Sequence, residues 1–166
     1  MQKQLSREAA IHLLETEHVG HLATCNSDHS PYITPLNYVY FQNNIYFHCA
    51  PQGRKLDYLR ANPQVCFAVN RVDKIVFQPT ACNCATRYHS VLAFGKARVV
   101  PDAQQKALVL NALTAKYAAG RNFEPVTAEA AAACCVVEIS IDRLEGKCNV
   151  DPEEDGISTI CQFTTQ

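Results

Sequence analysis

The chain has 166 residues, 48% hydrophobic and 19% charged, the composition of an ordinary globular protein long enough for one sizeable core. With 15 basic and 16 acidic residues the formal charge is -1, which argues against a generally basic nucleic-acid surface and confines any anion site to a local patch. No apolar run approaches the ~20 residues of a membrane helix, and MQKQLSREAA has no apolar signal segment, so no membrane partner and a cytoplasmic location are expected. The nine cysteines then read mostly as small buried thiols, since the cytosol is reducing and an odd count cannot all pair within one chain.

Ser6 is placed to cap a first helix over 7–17, with Glu8 favourable in its first turn. VGHLATC (19–25) reads as a strand, NSDHS as a polar turn, and PYITPLNYVYFQ (31–42) as a β-branched and aromatic strand. Asn43 and Asn44 tolerate positive φ and form the expected two-residue turn into IYFHC (45–49). Along that strand the pleat puts Tyr46 and His48 on one face and Phe47 and Cys49 on the other. Gly53 relaxes the chain before a helix over 54–62, and strands follow at 64–71 and 74–78. PTACNCAT is a loop, and residues 87–100 form a long strand in which Gly95 marks a bulge or a close backbone approach. Asp102 and Gln105 open a helix over 103–119, ended by Gly120, and 135–142 is the last strand.

Strands follow strands instead of alternating with helices. The fold class expected is mainly β, a largely antiparallel sheet closed into a small barrel with flanking helices. One domain spans 1–148, and a polar, acidic tail spans 149–166.

The six glycines are too scattered for a G-x-G-x-x-G or P-loop site, and neither G-x-S-x-G nor H-E-x-x-H is present. H-x2-H-x3-C (His18, His21, Cys25) and C-x-C (Cys82, Cys84) do not match common zinc spacings, so no metal site is expected. HCAPQGRK (48–55) carries more. Arg54 and Lys55 open a helix just after Gly53, where free N–H groups and the positive dipole end favour an anion. Two cations in a first turn oppose the dipole, a local conflict that a bound phosphate resolves.

PLNYVYFQNNIYFHCAPQGRKLDYLRANPQVCFAVN (35–70), followed by YHSVLAFGKARVV (88–100), resembles the flavin-binding split-barrel family that includes the pyridoxamine 5′-phosphate oxidases. Within it, the pattern is similar to the nitroimidazole-resistance (Nim) branch, over about Leu5 to Lys147. The resemblance implies a split barrel with FMN at a homodimer interface. Arg54 and Lys55 would grip the FMN phosphate, with Gly53 allowing close approach. Pro35, Leu36, Asn37 and Tyr38 would line the isoalloxazine and ribityl chain, Phe47 and His48 would lie along the flavin, and Ser90 and Val91 would complete the site. His48 matches the histidine associated with the active site of that branch, and an imidazole there could donate a proton or orient a substrate.

The basic residues with which pyridoxamine-phosphate oxidases bind their substrate phosphate are missing after Lys147, where the chain reads NVDPEEDG. The activity implied is reduction of a small electron-poor, nitro-type compound, with an electron donor that no motif identifies. Two alternatives stay open: a non-catalytic flavin carrier or sensor, and a haem-binding relative with His48 or His89 as ligand.

Overall fold

The computed structural model describes residues 2–151; the tail expected over 149–166 therefore falls outside the described residues from 152 onward. Eight strands form one antiparallel sheet: β1 (Gln2–Gln4), β2 (Val19–Cys25), β3 (Pro31–Asn37), β4 (Val39–Phe41), β5 (Asn44–Cys49), β6 (Gln64–Val76), β7 (Ala85–Val99) and β8 (Cys135–Asn149). Their order is β3-β2-β6-β7-β8-β5-β4, with β1 on the far part of β8. The two ends of that order, β3 and β4, are consecutive in the chain and separated only by Tyr38. One residue cannot span an open sheet, so the sheet must curl until its edges meet. This is the expected split barrel.

Side chains alternate faces along each strand. Leu22, Phe47, Phe67, Val91 and Ile139 turn inward and fill the barrel, together with Leu13 and Leu14 of α1 (Arg7–Thr16). The Ser6 hydroxyl accepts from the Ala9 N–H at 3.2 Å and starts α1 as expected. Tyr38 and Phe67 meet edge-on in this core, centroids 4.9 Å apart. Truncating either ring to alanine would cost about 3–5 kcal/mol.

A second core forms outside the barrel. There α3 (Ala103–Ala118), capped by Asp102 accepting from the Gln105 N–H at 2.7 Å, lays Val109, Leu110 and Leu113 over Val39, Tyr46 and Val136. Tyr46 is thus on the outer face and Phe47 on the inner one, the alternation read from the sequence. Two short helices complete the fold, α2 (Arg54–Ala61) and α4 (Ala128–Ala132). Among the described residues no helix is long and apolar enough to cross a membrane.

Four local expectations change. The strand over 31–42 breaks at Tyr38, because Tyr117 of α3 takes both its backbone groups. The Tyr38 N–H donates to the Tyr117 hydroxyl at 3.0 Å, and that hydroxyl in turn faces the carbonyls of Tyr38, at 3.2 Å, and His18. The hairpin turn is Gln42-Asn43, with φ of 49° and 64°, and Asn44 already belongs to β5. The strands at 64–71 and 74–78 are one strand, β6, kinked where its register shifts between Val72 and Lys74. The bulged Asp73 accepts from Arg71 Nε at 2.7 Å and meets His89 Nδ1 at 2.7 Å. The last strand runs past 142 to Asn149 because β7 and β1 pair with its polar half. Gly95 does mark both a bulge and a close approach: a Cβ there would lie 1.9 Å from the Ser140 carbonyl oxygen.

Candidate functional site

α2 starts where Gly53 allows it. With φ 130° and ψ 164°, Gly53 holds a backbone shape that side chains disfavour, and its carbonyl accepts from the N–H groups of Leu56 (2.9 Å) and Asp57 (3.2 Å). Among the described residues no side chain caps this helix, which leaves the N–H groups of Arg54 and Lys55 without a capping acceptor, and both residues line a cavity. Leu56 and Leu59 anchor α2 on the barrel.

The cavity, of about 200 Å³, is lined by Tyr32 and Thr34 of β3, by Cys49 at the end of β5, and by residues of the connection into α2 that include Gly53, Arg54 and Lys55. The Arg54 guanidinium lies over the Tyr32 ring at 5.3 Å, and Tyr58 of α2 packs edge-on against the same ring at 5.7 Å. The Lys55 ammonium lies over Phe47 at 5.1 Å. Such cation–π contacts orient the two cations without neutralising them, and neither has a carboxylate partner among the described residues. Thr34 adds a buried hydroxyl without a hydrogen-bond partner among the described residues. Two unneutralised cations, uncapped amides and an orphaned hydroxyl form a donor set suited to a phosphate.

The residues expected around a flavin fall into three groups. Gly53, Arg54 and Lys55 meet at the cavity, and Phe47 supports Lys55. Pro35, Asn37 and Ser90 point away from the barrel interior, on the outer face of β3-β2-β6-β7. There Pro35 is opposite His21, and carrying the ladder onward reaches Ala68 and then Leu92, two residues from Ser90. Leu36, Tyr38 and Val91 turn their side chains into the barrel core.

Along β8, Phe47 is opposite Val137 and Ser90 opposite Lys147, ten residues or ~33 Å of strand apart. One chain therefore does not bring Ser90 to the phosphate cavity. His48 is exposed on the outer face of β5, the face turned away from Phe47 and Cys49. His89, by contrast, is buried and engaged by Asp73. The two histidines stand opposite Val136 and Cys148 in the strand ladders, near opposite ends of β8, so one chain cannot offer both to one iron.

Tyr32, Thr34 and Cys49 were not singled out from the sequence as cavity residues. The period-2 pleat of a strand over PYITP is enough to put Tyr32 and Thr34 on one face, but nothing local shows that this face meets α2. Burial and the neighbouring Cys135 thiol push the Cys49 thiol up to about 11, while the Lys55 ammonium pulls the other way. Among the described residues no three His, Cys, Asp or Glu side chains gather where they could hold a metal.

The fold is similar to those of several solved structures. A protein from Bacteroides thetaiotaomicron described as a "putative 5-nitroimidazole antibiotic resistance protein" superimposes with a TM-score of 0.76 at 22% identity, over 89% of each chain. An FAD and haem binding protein from Mycobacterium smegmatis gives 0.77 at 24% identity, over 93% of this chain and 78% of that one. An FAD-binding protein from Mesorhizobium loti gives 0.67 at 25% identity, over 90% and 99%. Among curated proteins none matches. A family model described as pyridoxamine 5′-phosphate oxidase matches residues 6–148, which hold every strand from β2 onward except the last residue of β8, and all of the cavity. The barrel and the sequence pattern agree: the chain belongs to the pyridoxamine 5′-phosphate oxidase family.

Proposed function

We propose that this chain is a cytoplasmic FMN-binding oxidoreductase that reduces small electron-poor, nitro-type compounds, working as a homodimer. The observation that carries the cofactor reading is the cavity at α2, where, among the described residues, Arg54 and Lys55 have no carboxylate to neutralise them and Thr34 has an unsatisfied hydroxyl. Arg54, Lys55 and the amides after Gly53 would hold the phosphate, and Thr34 would meet a phosphate oxygen or a ribityl hydroxyl.

About 200 Å³ is below the range typical of whole small-molecule sites, so the flavin ring has to lie outside the cavity and be covered by another surface. The outer sheet face carries exposed Val19, Ile33 and Leu92 beside Pro35 and Asn37, and a second copy would bury this apolar surface. Bound FMN supplies the redox chemistry that side chains lack. The imidazole of His48, exposed on the outer face of β5, would orient a substrate or pass it a proton.

The test is a titration followed by turnover. The purified protein should bind FMN at least a hundredfold more tightly than riboflavin, which lacks the phosphate. Pre-reduced, FMN-loaded protein should then be reoxidised by nitro-compounds. Equal affinity for the two flavins sinks the phosphate cradle. A flavin that binds but is reoxidised by no nitro-compound turns the reading to a carrier or sensor, and a Soret band turns it to haem. A strict monomer in sedimentation at micromolar concentration removes the dimer.

A further inference from the structure

Cys49 ends β5 and Cys135 opens β8, and the ladder between these strands sets them directly opposite each other. Opposed residues of an antiparallel pair point to the same face, with β-carbons about 4.5–5.5 Å apart. Small adjustments bring that to the ~3.8 Å of a disulfide. Both thiols pack against the barrel core, whereas Cys134, the next residue, packs against the outer core with Val136 and α3. Alternation therefore keeps Cys134 away from Cys49. Cys49 and Cys135 are both free thiols. Cys49 is also a wall of the cavity, beside Lys55 and one residue before the connection that carries Gly53.

We propose that Cys49 and Cys135 are a redox-responsive modification site: a hydroperoxide reaching the cavity converts them to an internal disulfide, and a phosphate-bearing ligand in the cavity blocks that reaction. In the first step the Cys49 sulfur attacks the terminal oxygen of ROOH. The S–O bond forms, the O–O bond breaks, and ROH leaves with the thiol proton. In the second step the Cys135 sulfur attacks the resulting sulfenic acid. The S–S bond forms, the S–O bond breaks, and hydroxide takes the Cys135 proton to leave as water. Two thiols lose two electrons and two protons, and the peroxide gains them.

Because burial holds Cys49 protonated at neutral pH, the pair rests reduced and reacts slowly until oxidant is abundant. The crosslink would tie the start of the phosphate cradle to β8. The pairing stands on register alone; the blocking rests on the cofactor reading above.

The experiment exposes the reduced full-length chain to hydrogen peroxide, traps remaining thiols with N-ethylmaleimide and maps linked peptides. The expected product is a Cys49–Cys135 link in the wild type and in Cys134→Ser, absent in Cys135→Ser. Oxidation should raise the melting temperature of the wild type by about 5–10 °C, because the link closes a long loop, and should leave Cys135→Ser unchanged. Saturating FMN should slow linkage at least tenfold. A dominant link through Cys134, or no Cys49–Cys135 link under conditions that oxidise the exposed Cys82 and Cys84, overturns the pair. An unchanged linkage rate with FMN bound overturns the blocking. If FMN does not bind, the cofactor reading and the blocking fall together, while a link formed without ligand still supports the pair.

Discussion

Lys55 and Lys116 both place an ammonium over an aromatic ring, and they do so at opposite ends of two helices. Lys116 stands 3.9 Å from the Tyr38 centroid and donates to the carbonyls of Leu14 (3.2 Å) and Glu17 (2.6 Å), at the C-terminal end of α1. That is the negative end of the helix, where a cation is favoured and orphan carbonyls need donors. Lys55 sits in the first turn of α2, the positive end, with the Phe47 ring below it and neither a carboxylate nor a carbonyl partner among the described residues. One lysine has its protons used by the fold and acts as a brace. The other is placed against its helix, beside a second cation, with its protons available. Such a position costs stability unless something outside the chain supplies the negative charge, which is the part the proposed phosphate would play.

The sharpest break of that contrast is Arg54→Ala/Lys55→Ala. Each charge-assisted hydrogen bond to phosphate is worth roughly 1.5–3 kcal/mol, so FMN affinity should fall by about two to four orders of magnitude while the fold persists. Riboflavin affinity should barely change. Wild-type FMN affinity in the double variant would show that these cations are no more than solvated surface charges.

His48→Ala extends the contrast to the outer face of β5. The side chain is exposed, so stability should move by less than about 0.5 kcal/mol and FMN should stay bound. If the imidazole supplies a proton, reoxidation of the reduced protein by nitro-compounds should slow by ~10²–10⁴-fold. Unchanged rates per bound FMN across a panel of nitro-compounds and quinones would exclude that role.

Lys116→Met should show the opposite profile to the double variant. It leaves the carbonyls of Leu14 and Glu17 without their donor, for about 1–3 kcal/mol of lost stability in denaturant titration. FMN affinity of the folded variant should stay within about twofold of wild type. A loss of affinity without loss of stability would exchange the two roles.

The smallest effect is a pH slope. Burial lowers the Lys116 pKa from 10.5 to about 8. Between those values the unfolded chain holds a proton that the folded chain has released, so this group makes stability rise with pH from about 8 to 10.5. Below 8 both states are protonated and the slope from this group vanishes. Lys116→Met should remove the rise, measured as the difference between the two stability–pH curves.

Much of this molecule was legible because its signals are short-range. The Ser6 and Asp102 caps, the alternation that separates Tyr46 from Phe47, and the close approach at Gly95 all depend on residues adjacent in the chain or on a missing side chain. The pairing of Arg54 with Lys55 after a glycine was visible for the same reason. The break at Tyr38 was not, because its cause is a hydroxyl 79 residues away in sequence. Nor was the hairpin offset: Gln42-Asn43 and Asn43-Asn44 differ by one residue, and the register that selects the former comes from pairing between β4 and β5.

The amino-acid sequence by itself determined where α1, α2 and α3 start, which side chains of β5 share a face, and that two cations open α2, whereas α4 carried no signal that was read. Only the tertiary structure decided what those cations face. It brought Tyr32 and Thr34 of β3 against α2, split the expected flavin residues among the cavity, the outer sheet face and the barrel core, and set Cys49 opposite Cys135. Caps and pleats are governed by interactions within a few residues, whereas register and strand order are chosen by contacts between distant segments. The cavity is a product of that second kind of choice.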